Sequence, residues 1–166
     1  MTLGRRRRAG RVFFWIAAVA GTAHAAFSAY WAVGGTWLLR TVGQWAVDLM
    51  RDEPLLGGLG LALVTLLKLL GAYVPVAVEY GRIGARRFWR AMSWVGAVGL
   101  VLYGGANTIV GALVLSGWVA PASAPDREAL IGHTFLWDPL FLVWGAALVA
   151  ALALTRRRRL CPSRPA

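Results

Sequence analysis

Four long apolar runs alternate with short charged clusters along this chain. Val12–Leu39 carries no formal charge, and Leu55–Val78 carries only Lys68. Ala91–Ala120 carries none, and Ala129–Thr155 carries Asp138 alone, together with His133. Each run exceeds the roughly 20 residues needed to cross about 30 Å of hydrocarbon. Water is absent at that depth, so each segment must satisfy its own backbone hydrogen bonds, which dictates helix. The pattern predicts an all-α fold, a four-transmembrane-helix bundle. A basic N-terminus covers residues 1–11, a transmembrane domain covers 12–155, and a basic tail covers 156–166. The spans are expected near 12–34, 55–78, 91–118 and 133–155.

The direction of the spans follows from the arginines. Arg5, Arg6, Arg7, Arg8 and Arg11 precede the first run; Arg82, Arg86, Arg87 and Arg90 separate the second from the third. Arg156, Arg157, Arg158, Arg159 and Arg164 follow the fourth. Only Arg40, Arg51 and Arg127 lie on the other side. The positive-inside rule therefore predicts a multi-pass protein of the cell membrane, with both termini and the central loop in the cytoplasm.

Composition supports the same class. Apolar residues make up 58% of the 166 and charged ones 15%, more apolar than a soluble core of this size accommodates. The net charge of +11 does not point to nucleic acid. The arginines border apolar runs, where they act as topology signals and anchors for anionic lipid at the cytoplasmic face. The Ala-, Gly- and Arg-rich composition suggests a GC-rich bacterial genome. Cys161 is the single cysteine, so no intramolecular disulfide forms and a free thiol is expected.

The outer loops differ in character. Gly34–Pro54 is mixed, and its stretch Trp37–Val47 is expected to lie along the membrane surface as a short amphipathic helix. Pro121–Pro125 is a small turn. Trp31, Trp37, Trp89, Trp94 and Trp118 fall near predicted span ends, as interfacial belts require. No sequence repeat, dinucleotide-binding glycine pattern, phosphate loop or zinc spacing is present. The basic start, the run Val12–Thr22 and Ala23-His24-Ala25 also fit a cleavable signal peptide. Apolar character continues well past Ala25, so retention of the first span is expected.

Polar residues inside a span are costly and usually face the bundle interior. Counting about 1.5 Å per residue from the cytoplasmic edges puts His24 and Lys68 roughly 20 and 18 Å deep, near the middle. The same count puts Asn107 and Asp138 at about 25 and 27 Å, in the outer half, with His133 higher still. His24, Ser28 and Trp31 share a helix face, as do Tyr103, Asn107 and Gly111. Lys68 is the only lysine among 18 basic residues, and lysine, unlike arginine, can lose its proton when buried. It reads as a titratable amine, as a snorkelling side chain, or as a partner of Asp138, direct or relayed through His24, Asn107 or water. Asp138 precedes Pro139, so it reads either as the N-cap of a helix starting at Pro139, or as a counter-ion of Lys68 or orienter of a histidine. The candidates for a buried polar network or ligand site are thus His24, Ser28, Lys68, Tyr103, Asn107, His133 and Asp138. Two histidines without thiolates or regular spacing do not indicate a metal, and no catalytic residue or cofactor is assigned.

Three segments carry a family resemblance. His24–Gly35 reads HAAFSAYWAVGG, Tyr103–Gly111 reads YGGANTIVG, and His133–Gly145 reads HTFLWDPLFLVWG. With Lys68, these resemble small bacterial, largely actinobacterial, membrane proteins grouped as domain-of-unknown-function family 3995. The resemblance runs from about Val12 to Leu154. It implies a four-helix membrane protein that keeps its first span, and it supplies no activity, cofactor or catalytic residue.

Three functions fit. The first is a non-enzymatic structural or accessory membrane protein whose buried polar network fixes its packing, alone, as a homo-oligomer or with a membrane-protein partner. The second is a small-ligand or proton-coupled membrane protein with an outward-facing polar cavity. The third is an intramembrane enzyme acting on a lipid or isoprenoid substrate. That enzyme would use His24 or His133 as acid/base; against it, no carboxylate pair or cysteine pair is available for hydrolytic or redox chemistry. A dry, fully paired network favours the first; a cavity with convergent unpaired groups favours the others.

Overall fold

The computed structural model describes residues 3–121 and 124–156. Arg157, Arg158, Arg159, Arg164 and Cys161 of the basic tail, and the middle of the Pro121–Pro125 turn, lie outside the described residues. The described chain is all-helical: α1 spans Leu3–Ala32, α2 Gln44–Asp52, α3 Pro54–Glu79, α4 Arg86–Leu115 and α5 Arg127–Leu154. Four of these are long and apolar enough to cross a membrane; α2 is the short exception. They mark a multi-pass membrane protein. With 30 residues, α1 runs about 45 Å and overshoots the hydrocarbon layer. Its first two turns carry Arg5–Arg8, which the apolar pattern had left outside the span.

The helices pack in the order α3, α1, α5, α4, and α3 meets α4 only slightly. The inner pair, α1 and α5, is therefore the most buried, while α3 and α4 present leucines and valines outward. In water that surface would be intolerable; in lipid it is the solvated face. The core between α1 and α5 is built from Phe14, Ala17, Ala18, Trp144, Ala147, Leu148 and Ala151. Small residues set the approach of α4 to α5. A methyl at Gly145 would lie 2.8 Å from both the Ala97 carbonyl and the Val101 amide, and one at Gly104 would meet the Leu142 amide at 2.7 Å. Close backbone contact at glycine is how membrane helices gain packing energy without a hydrophobic driving force.

The slight α3–α4 contact leaves an apolar groove of about 520 Å³ between them, floored by Trp144 and Leu148. At the opposite end of the bundle from the termini, the 33–53 segment folds over α1 and α5. Trp31 and Trp137 pack edge to face with centroids 5.2 Å apart, joined by Leu39 and Ala46. The amphipathic helix expected over Trp37–Val47 is instead a 3₁₀ turn at Leu39–Thr41 followed by α2. Gly43, with φ 139°, interrupts the helical path in a region side-chain-bearing residues rarely adopt.

One of the two readings of Asp138 is ruled out. The helix does not start at Pro139, and Asp138 is not its cap. Asp138 is itself helical, and the cap is Asp126, whose carboxylate accepts from the Glu128 and Ala129 amides. The helix continues through a π turn at His133–Trp137. That turn explains the proline: Pro139 lacks an N–H and its ring would strike the carbonyl four residues back in a regular α-helix, a conflict the wider turn relieves.

Candidate functional site

The candidate polar residues form two centres rather than one. The inner centre joins α1 to α3. Lys68 Nζ donates to Ser28 Oγ at 2.7 Å and lies 3.0 Å from His24 Nδ1. His24 and Ser28 stand one turn apart on α1 and are both buried. The His24 ring packs on Phe141 at a centroid distance of 4.0 Å and on Trp137 at 5.6 Å. Lys68 Nζ sits 5.9 Å from the Phe141 centroid, a cation–π distance. An ammonium donating to His24 Nδ1 fixes the proton of that ring on Nε2, and Nε2 is buried without a hydrogen-bond partner among the described residues.

The outer centre lies on α5 at the π turn. His133 Nδ1 is 3.3 Å from the Asp138 carboxylate, and Nε2 is 3.2 Å from the Val42 carbonyl. The Asp138 side chain is 1% exposed. Asn107 of α4 flanks it, and both line a pocket of about 370 Å³ with His133, Thr134, Asp126 and Leu130. Thr134 presses against Gly111 of α4, and its hydroxyl is buried without a partner among the described residues. The pocket sits at the end of the bundle opposite the termini, beneath the turn that carries Asp126.

Lys68 and Asp138 make no ion pair; each has its own histidine. In place of a direct contact between them stand Lys68–Ser28–His24 and His133–Asp138, and the His24 ring packs on Trp137 and Phe141. Tyr103 joins neither centre. It is exposed on α4, edge-on to Phe141 at 5.7 Å, and lines the α3–α4 groove.

Several contributors were not singled out from sequence. Thr41 accepts from Trp137 Nε1 at 3.0 Å and holds the loop against the π turn, where Gly132 leaves room for it. Asp126 also accepts from the Gln44 amide at 3.1 Å, so one carboxylate caps both α2 and α5. Its position before Arg127 and Glu128 is a legible N-terminal signal. Hydrogen bonds from Ala129, then from Gln44 and Glu128, with the Arg40 charge adding, hold this exposed carboxyl below its ordinary pKa.

Among the described residues, no group of three or more His, Cys, Asp or Glu side chains is placed to hold a metal ion. The arrangement offers hydrogen-bond acceptors and donors in a small pocket, and a lysine held by a hydroxyl and an imidazole in the bundle interior.

The comparisons with known proteins concern the family. No curated protein and no solved structure matches the chain. A family described as "Protein of unknown function (DUF3995)" matches residues 21–148, which include both polar centres. The chain belongs to that family of unknown function, DUF3995.

Proposed function

We infer that this protein is a non-enzymatic membrane protein that binds a small polar solute in the pocket beside Asp138. The observation that carries the reading is a buried carboxylate lining a pocket that is also lined by Thr134, whose hydroxyl has no partner among the described residues. His133 engages the two carboxylate oxygens from one ring nitrogen, so acceptor capacity remains on both. Buried polar groups without partners are costly, and a solute that donates hydrogen bonds satisfies them. The π turn supports the reading, because such turns concentrate at functional sites. With both termini and the Gly81–Arg90 turn in the cytoplasm, the pocket faces outward. Thermal-shift screening of the purified full chain against small amines, amino acids and polyols tests this. A stabilising compound whose effect disappears in Asp138→Asn and Thr134→Val is expected. Failure of every class, or an effect unchanged in both variants, overturns the reading.

The inner centre favours a structural role. Its lysine is half-buried and held by Ser28 and His24 across the α1–α3 contact, so it fixes the register of α3 against α1.

A further inference from the structure

The groove between α3 and α4 is apolar along its length and basic at its mouth. Leu70, Val74 and Pro75 of α3 face Gly96, Gly99 and Tyr103 of α4 across it. On α4 it runs from Trp89 to Tyr103, fourteen residues or about 21 Å, which spans the acyl layer of one leaflet, about 15 Å of hydrocarbon. A methyl added at Gly96 or Gly99 would meet nothing within 4 Å. These glycines therefore do not serve helix packing within the chain, unlike Gly104 and Gly145. They leave the groove open along α4.

The mouth has the opposite character. Glu79 ends α3 and receives Arg86 at 2.9 Å and Arg90 at 3.5 Å. Arg90 is also committed to the Leu152 carbonyl at 2.8 Å and Thr155 Oγ1 at 3.1 Å. Arg86 lies one turn before Trp89 on the groove face and keeps 38% of its side chain exposed. Arg82 and Arg87 are exposed, and no carboxylate among the described residues pairs with them. Four arginines thus face one carboxylate. The first turn of α4 adds to this excess: its N-cap, Ala85, supplies no side-chain acceptor, and no acidic residue follows. The free N–H groups of that turn carry partial positive charge.

We propose that the α3–α4 groove binds an anionic glycerophospholipid of the leaflet on the arginine-rich side. One acyl chain lies along Gly96 and Gly99, and the phosphodiester sits at the start of α4 among Arg82, Arg86 and Arg87, whose summed charge exceeds that of Glu79. The apolar lining selects a hydrocarbon chain and the uncompensated arginines select the headgroup charge. This site lies at the other end of the bundle from the Asp138 pocket and does not depend on it.

Native mass spectrometry of the delipidated full chain, titrated separately with dioleoyl phosphatidylglycerol and dioleoyl phosphatidylcholine, tests the proposal. The first phosphatidylglycerol should bind about tenfold more tightly than phosphatidylcholine. The combined Arg82→Gln, Arg86→Gln and Arg87→Gln variant should remove that preference. Gly96→Leu with Gly99→Leu should weaken binding of both lipids while leaving the thermal stability of the lipid-free protein intact, since both side chains enter open space. Equal affinity of the wild type for the two lipids overturns the proposal, as does lipid binding unchanged in the glycine variant. A dimer that dissociates in the glycine variant, with no change in lipid binding, assigns the groove to a second copy of the chain and also overturns it.

Discussion

His133 and Asp138 are five residues apart on one helix, yet their side chains meet at 3.3 Å. In a regular α-helix the fifth residue on is rotated about 140° away; the π turn, with its i→i+5 repeat, brings it back onto the same face. Both nitrogens of His133 face acceptors, the Asp138 carboxylate and the Val42 carbonyl. Two protonation states satisfy this geometry. In one, an imidazolium donates from both nitrogens to a carboxylate and a carbonyl. In the other, a protonated Asp138 donates to Nδ1 while Nε2–H donates to Val42. Either way, one proton is held between the two side chains.

His133→Ala should therefore be strongly destabilising, because it strands Asp138 in a buried position. Breaking one side of a buried pair costs about 3–5 kcal/mol in soluble interiors, and less in membranes, where the unfolded reference state also finds partners. Asp138→Asn introduced into the same background should recover part of the loss. Thermal denaturation in detergent measures both. A double variant no more stable than His133→Ala alone contradicts the pairing.

Lys68 should be coupled to Ser28 and not to Asp138. A double-mutant cycle with Lys68→Met and Ser28→Ala should show an interaction of about 0.5–2 kcal/mol, the range for a charged hydrogen bond tempered by the membrane environment. The cycle of Lys68→Met with Asp138→Asn should be additive within about 0.5 kcal/mol. The opposite pattern would restore the lysine–aspartate pair that the sequence suggested.

Acid should weaken the junction of α2 and α5 through Asp126. Its folded carboxyl pKa is depressed by the backbone hydrogen bonds it accepts. It thus contributes stability above its unfolded value, about 4, and loses that contribution as pH falls through the folded value. Hydrogen exchange at the Gln44, Glu128 and Ala129 amides should accelerate in Asp126→Ala at neutral pH. Asp126→Asn, which keeps a capping oxygen, should protect the α5 amides and lose the acid dependence. An acid profile unchanged in Asp126→Asn would assign it to another group.

Glycine substitutions should divide by position. Gly145→Leu drives a side chain into the α4 backbone around Ala97 and Val101, and overpacking of this kind costs about 1–3 kcal/mol or more. Gly96→Ala meets open space and should be neutral or slightly stabilising, by up to about 1 kcal/mol from helix propensity. Equal losses of thermal stability in the two variants would mean that α4 does not approach α5 through Gly145.

The arginine asymmetry predicts the orientation. Reporter fusions after Thr155 and within Gly81–Arg90 should score cytoplasmic, and fusions near Asp48 and Ala124 external. An external C-terminus would reverse the outward assignment of the Asp138 pocket.

Much of this architecture is local and therefore visible in one dimension. The bilayer demands about 20 apolar residues per crossing and a self-satisfied backbone, so the four spans could be read from hydropathy alone. The cost of buried polarity likewise singled out His24, Lys68, Asn107 and Asp138 before any contact was known. What the sequence by itself could not decide was how these residues pair. The helix order around the bundle chose Ser28 and His24 as the partners of Lys68 and left Asp138 to His133. The π turn changed the period of the helix between His133 and Asp138, so their contact lay outside any α-helical face. Local signals fixed the spans because each helix satisfies its own backbone. Only tertiary packing fixed the sites, because side chains distant in sequence, and a carbonyl from another segment, supply the contacts that define them.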